Sequence, residues 1–117
     1  MFHDSRAPGA NNETLDLYAS GSLVDAFGNA LTMAAIKLLY IKNTHASLVL
    51  AIGGGADVDL LIFTATSDIV EIQPGGFLLW ACPTAAGVVT STNKNLKVAD
   101  KAAGTNITYD VVALGLD

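Results

Sequence analysis

Charge is scarce in this chain. Only 15% of its 117 residues are Asp, Glu, Lys or Arg, against roughly 25% in an average globular domain. Six Lys and Arg stand against eleven Asp and Glu, for a net charge of −5. The basic residues are Arg6, Lys37, Lys42, Lys94, Lys97 and Lys101, and only the last three come near to forming a patch. A nucleic-acid partner requires a contiguous cationic face to neutralise phosphates, so DNA and RNA are not expected partners. Cysteine is nearly absent too. Cys82 alone allows no internal disulfide and no cysteine-cluster metal site, and the absence of a Cys pair fits a reducing cytosol. It follows Trp80 and Ala81 at the end of an apolar run and reads as a small buried thiol. The only histidines that could activate it are His3, near the N-terminus, and His45, in a turn. Long apolar runs are missing as well. The longest, Met33 to Ile41, contains Lys37 and is too short to span a bilayer, so no membrane partner is expected. Residues Met1 to Asn12 lack the apolar stretch of a signal peptide. The expectation is therefore synthesis and assembly in the cytoplasm, with the sequons Asn12-Glu13-Thr14 and Asn106-Ile107-Thr108 as chance matches.

What remains is a rhythm. From Asn43 onward short apolar runs recur: Leu48 to Ile52, Leu60 to Phe63, Ile69 to Ile72, Phe77 to Trp80, Val88-Val89, Leu96 to Val98, and Ile107 to Leu114. Gly, Pro and Asn clusters close each one, at Gly53–Gly55, Thr66–Asp68, Gln73–Gly76, Pro83–Gly87, Thr92–Asn95 and Ala103–Asn106. Short β-branched and aromatic runs at near-regular spacing describe an antiparallel all-β chain, and this length holds one domain with its own core. Alternation predicts burial of Leu48, Leu50, Ile62, Ile72, Leu78, Trp80, Val98, Tyr109, Val111 and Ala113.

Before that series, residues 1–12 are polar and contain Pro8, Gly9, Asn11 and Asn12, which predicts a flexible arm ahead of a single β domain over 13–117. Thr14 to Tyr18 and Gly21 to Val24 alternate, and Phe27 to Ala30 reads as a turn. The segment 31–42 carries helix-forming Ala and Leu, yet it also alternates and is apolar on both faces; the strand is the favoured reading.

Candidate chemistry fails residue by residue. Asp57-Val58-Asp59 has the spacing of a metal-binding D-x-D, but that motif is short, common and usually served by a larger α/β enzyme. Gly53–Gly55 is followed by no Lys-Ser/Thr pair and opens no helix, so it is not a phosphate loop; its glycines serve positive backbone angles. No catalytic residue, cofactor or metal ligand is expected. Gln73-Pro74-Gly75-Gly76-Phe77 is specific as structure. Pro74 presets φ and Gly75 accepts a positive one, giving a type II turn, which is expected to pair the flanking strands.

Four strings occur in order: Leu23 to Asn29, Ile36 to Asn43, Ile72 to Leu79, and Ile107 to Gly115. Together they resemble the small virion proteins of tailed bacteriophages, of the capsid decoration or cement type, over roughly residues 15–115. That resemblance implies a β-sandwich or jelly-roll subunit, with an extended N-terminal arm in this chain, forming symmetric oligomers on a protein shell without enzymatic activity. The expected partners are a major capsid protein and further copies of this chain in a cyclic homo-oligomer, a trimer favoured, on the virion surface. Tail and head-fibre positions stay open.

Low charge points the same way, because a surface rich in small and apolar residues is more often covered than left in water; a monomeric Gly/Ala/Thr-rich domain is the alternative. The residues expected to touch a partner are Phe2 and Arg6, the anchors of the arm, and Pro74, Gly75 and Gly76 at the tip turn. A carbohydrate-binding module of a tail or fibre is the second reading, with Trp80, Tyr18, Tyr40 and Tyr109 as the available aromatics.

Overall fold

The computed structural model describes residues 2–7, 12–17, 27, 29, 33, 35–54, 68–82, 88–89, 95–104 and 106–116. Those residues form nine strands and no helix: β1 (Phe2–Arg6), β2 (Asn12–Asp16), β3 (Ala35–Asn43), β4 (Leu50–Gly53), β5 (Ile69–Ile72), β6 (Phe77–Ala81), β7 (Val88–Val89), β8 (Asn95–Asp100) and β9 (Tyr109–Leu116). They make two antiparallel sheets. The first has the order β1-β9-β3-β6, with β7 also paired to β3; the second has the order β2-β8-β4-β5. The pairing is nested. β1 meets β9, β2 meets β8, β3 meets β6 and β4 meets β5, as in a long ribbon doubled back on itself between β4 and β5.

Alternation fills the space that the two sheets share. The first sheet contributes Phe2, Ile36, Leu39, Ile41, Tyr109, Val111 and Ala113; the second contributes Leu15, Leu50, Ile52, Ile72, Leu96 and Val98. Leu17, Met33 and Ile107 join the same cluster from flanking positions. Of the expected core, Leu50, Ile72, Val98, Tyr109, Val111 and Ala113 are buried, while Leu48, Leu78 and Trp80 are half-buried against the cluster. Leu78 and Trp80 sit on β6, which borders the first sheet, so they are covered less completely than a central strand would be.

The helix-or-strand choice over 31–42 resolves, for 35–42, as strand. β3 is held by β9 on one edge and by β6 and β7 on the other, and ladder bonds on both edges override the helix propensity of Ala and Leu. The register with β9 shifts between Ile36 and Leu38. The extra residue lets Ala35 and Ile36 both be buried and sets Leu39, Ile41 and Asn43 inward thereafter. Gly115 stands opposite Ile36 at this irregularity. A Cβ there would collide with the carbonyl oxygen of Ala35 and lie 2.9 Å from the Met33 sulfur.

Two expectations are corrected. Residues 2–6 are not an extended arm: β1 pairs with β9 over five residues, and Phe2 is only 2% exposed. Composition suggested too few apolar anchors, but burying one Phe contributes about 2–3 kcal/mol, and the β9 ladder satisfies the strand's backbone as well. The Gln73–Gly76 turn is of type II, with Gly75 at φ 77° and the Gly76 N–H donating to the Gln73 carbonyl at 2.9 Å. It does not pair its flanking strands, however: β5 lies in the second sheet and β6 in the first. Hairpins favour primed turns, whose twist matches the strands, whereas a type II turn splays them. Here it carries the chain from one sheet to the other.

The runs Gly21–Val24 and Leu60–Phe63, the core candidate Ile62, and Asp57 and Asp59 lie outside the described residues. So do residues 8–11 of the expected arm and Leu31, Thr32 and Ala34. Gly53 and Gly54 adopt the positive φ expected of them, 97° and 71°.

Candidate functional site

The two sheets turn very different faces outward. On the second, the residues opposite the core include Asn12, Thr14, Glu71 and Lys97, with Ala51, Ala99 and the exposed Ile69 among them, and Glu71 accepts a salt bridge from Lys101 at 3.0 Å. On the first, register stacks apolar residues. Ala81, Leu38 and Leu114 form one row, and Leu79, Tyr40 and Val112 the next. Phe77, Lys42 and Asp110 form a third. Phe77 is 62% exposed, Leu79 57% and Leu114 38%. The Tyr40 and Phe77 rings lean together at a centroid distance of 5.6 Å. At about 4.8 Å between strands and 3.3 Å per residue this face covers roughly 300 Å². That is the scale of patches that mark interaction sites, but well below the roughly 800 Å² per partner of a stable pairwise interface.

At the Phe77 end of the face lies an open hollow of about 390 Å³, lined by Lys42, Asn43, Thr44, His45, Ala46, Pro74 and Gly75. Asn43 builds its walls. Fully buried at the end of β3, its Nδ2 donates to the Leu48 carbonyl at 2.7 Å and the Ile72 carbonyl at 2.9 Å, and its Oδ1 accepts the His45 N–H at 3.0 Å. Its backbone N–H donates to Gly76 O at 2.9 Å, and its carbonyl accepts from the Gly75 N–H at 3.0 Å. One amide therefore ties the β3–β4 connection to the tip turn. His45 Nδ1 accepts the N–H groups of Ser47 and Leu48, both at 3.1 Å.

A third cluster joins the sheets at the β1 and β2 edge. Arg6 Nε and Nη2 donate to the two oxygens of Glu13 at 2.8 and 3.1 Å, and Nη1 donates to Asp4 at 2.8 Å. The Tyr109 hydroxyl also donates to Glu13. Burial pushes the Glu13 carboxyl up, but the hydrogen bonds from Arg6 and Tyr109 and the Arg6 charge outweigh it, and the net shift is downward. The hydrogen bond to Glu13 raises Arg6 above its already high ordinary value, and burial followed by the bond to Glu13 raises Tyr109.

The expected contact residues thus divide. Pro74 and Gly75 line the hollow, with Gly76 bonded to Asn43 behind it. Phe2 is turned into the core of its own subunit, and Arg6, with its side chain 26% exposed, is engaged by Glu13 and Asp4. Trp80 packs against the core and not on the open face. Cys82 is half-buried, in no disulfide, with its N–H donating to the Lys37 carbonyl at 2.8 Å. No group of three or more His, Cys, Asp or Glu suited to a metal ion occurs among the described residues.

Sequence reasoning overlooked Phe77 and Leu79, although Phe77-Leu78-Leu79-Trp80 is apolar at both parities and one parity had to face outward. It overlooked Asn43, Lys42 and His45 for a different reason: their grouping depends on the β3–β4 connection meeting the tip turn. No family model, no curated protein and no solved structure matches the chain.

Proposed function

We propose that this chain is a structural virion subunit, a decoration or cement protein that binds the outside of a bacteriophage capsid and stabilises the shell. The observation that carries the reading is the outward face of the first sheet, where Phe77, Leu79, Leu38, Tyr40, Val112 and Leu114 are contiguous, whereas the second sheet sets Ile69 among Asn12, Thr14, Glu71 and Lys97. A face of this kind is stable when another protein covers it. Its modest area suits a subunit that holds by several contacts at once, to the shell and to its own copies in a cyclic oligomer, a trimer favoured, because linked weak contacts multiply. The nested pairing supports the finer reading of the fold as a jelly-roll β-sandwich, an architecture that recurs in viral capsid and lectin domains. The major capsid protein is the main partner, and the virion, assembled in the bacterial cytoplasm, is the location.

The test combines native mass with attachment. Purified protein is expected to run as a closed oligomer and to co-sediment with expanded capsids of its cognate phage, and the double variant Phe77→Ser/Leu79→Ser should stay folded but lose attachment. A folded monomer with no affinity for the shell overturns the proposal.

A second reading is favoured by the Tyr40 and Phe77 pair. An exposed ring beside a half-buried one, with Lys42 and Asp110 in the row of Phe77, offers a platform for stacking a sugar, in place of Trp80, which packs inward. Glycan binding that is lost in Phe77→Ser while shell attachment is absent would favour it.

A further inference from the structure

Lys42 and His45 bring two hydrogen-bond donors to the hollow at the end of the apolar face, and the surrounding framework uses neither. Nδ1 of His45 accepts two backbone N–H groups, so the neutral ring carries its proton on Nε2, which stays available as a donor. The Lys42 side chain is exposed and forms no ion pair among the described residues. Asp110, its neighbour across the ladder, accepts the Ser5 hydroxyl at 2.6 Å. Among the backbone donors nearby, the N–H groups of Asn43, Thr44, His45, Gly75 and Gly76 all have carbonyl or amide acceptors. The Thr44 hydroxyl donates to Thr108 at 3.0 Å. No carboxylate lines the hollow.

We propose that this hollow is a carboxylate-binding site that takes an Asp or Glu side chain of the partner polypeptide docked on the adjoining apolar face, with Lys42 supplying the charge and His45 Nε2–H the directed hydrogen bond. One ammonium and one directed imidazole N–H match the charge and the two oxygens of a carboxylate. A phosphate dianion would call for more charge, or for a nest of several free backbone N–H groups of the kind such sites use, and the N–H groups of Asn43, Thr44, His45 and Gly75 are already bonded here. The walls are set in advance, because Asn43 fixes both the β3–β4 connection and the tip turn whether or not a ligand is present. The partner is thereby specified as apolar with an acidic residue at one border. This choice of partner rests on the docking role proposed above, whereas carboxylate binding itself does not.

The probe is N-acetylglutamate N-methylamide, whose side-chain carboxylate is its only charge, titrated into the full chain and followed by amide and imidazole NMR. Saturable shifts are expected at Thr44, His45 and Gly75. N-acetylglutamine N-methylamide, the neutral counterpart, should leave them unmoved, and inorganic phosphate should bind more weakly than the carboxylate. Lys42→Gln, at an exposed position, is expected to weaken binding about tenfold, the loss of one charged contact. His45→Asn, which retains an acceptor for the Ser47 and Leu48 amides, should weaken it by a similar factor. Shifts that are absent, equal for glutamine, stronger for phosphate or unchanged in Lys42→Gln overturn the site. Capsid co-sedimentation of Lys42→Glu separates the two claims: attachment lost with carboxylate binding supports the partner assignment. Attachment unaffected by the reversal refutes that assignment. Carboxylate binding in a chain that attaches to no shell leaves the site intact and refutes the docking role alone.

Discussion

Replacing Glu13 by Gln tests how the two sheets are held together at their β1 and β2 edge. The carboxylate accepts two hydrogen bonds from Arg6 and one from Tyr109, and so connects strands of both sheets. Gln keeps the shape and one acceptor oxygen but removes the charge and half of the bidentate pairing. Hydrogen bonds to charged groups contribute about 1.5–3 kcal/mol each. The Arg6 and Glu13 side chains are 26% and 21% exposed, and solvent screening lowers the expected loss to about 2 kcal/mol in all. In a domain of this size that loss lowers Tm by roughly 6–10 °C. The pH dependence has a definite sign. The folded state holds the Glu13 carboxyl below its ordinary value, while the unfolded chain titrates near the usual value of about 4.3. The stabilisation is therefore complete above that pH and is lost as pH falls through the folded value. Urea denaturation of wild type and Glu13→Gln between pH 7 and pH 3 provides the measurement. The two stabilities should differ most near neutrality and converge below about pH 4. Equal stabilities at pH 7, or a gap that stays constant down to pH 3, would refute the account.

Three further outcomes follow from packing. Phe2→Ala should destabilise the free subunit by about 3 kcal/mol, read from the denaturant midpoint; an unchanged midpoint would mean that β1 does not dock in solution. Trp80→Ala should cost about 1–2 kcal/mol, less than for a fully buried aromatic, because the ring is half-buried at the β6 border. Gly115→Ala should lower stability by about 1–3 kcal/mol, since its Cβ meets a backbone carbonyl at the β3 irregularity; an unaltered Tm would show that β3 and β9 can separate there without loss.

The distribution of charge also fits the docking role proposed above. Six of its eleven acidic residues, Asp4, Glu13, Asp16, Asp68, Glu71 and Asp100, lie off that face in the described structure. Within the three rows formed by β6, β3 and β9, the charged residues are Lys42 and Asp110, adjacent and of opposite sign. Local neutrality removes the electrostatic objection to docking that a net charge of −5 would otherwise raise.

Alternation and punctuation in the sequence determined that the chain is all-β, where most strands run and which parity turns inward: Leu50, Val98, Tyr109, Val111 and Ala113 were legible because a two-residue period leaves little choice about burial. The type II turn at Gln73–Gly76 was legible because Pro74 and Gly75 carry their backbone angles with them. Tertiary structure alone decided which strands pair. β1 with β9 and β2 with β8 join opposite ends of the chain, and no local pattern encodes a partner some ninety residues away. The same long-range pairing drew residues 2–6 out of an expected arm and into a sheet, and it left Phe77 and Leu79 uncovered on a strand whose two faces are equally apolar in sequence. Asn43, Lys42 and His45 read as ordinary turn residues until β3 and the tip turn meet. Period and propensity act over a few residues, whereas pairing and exposed faces depend on which distant surfaces become neighbours.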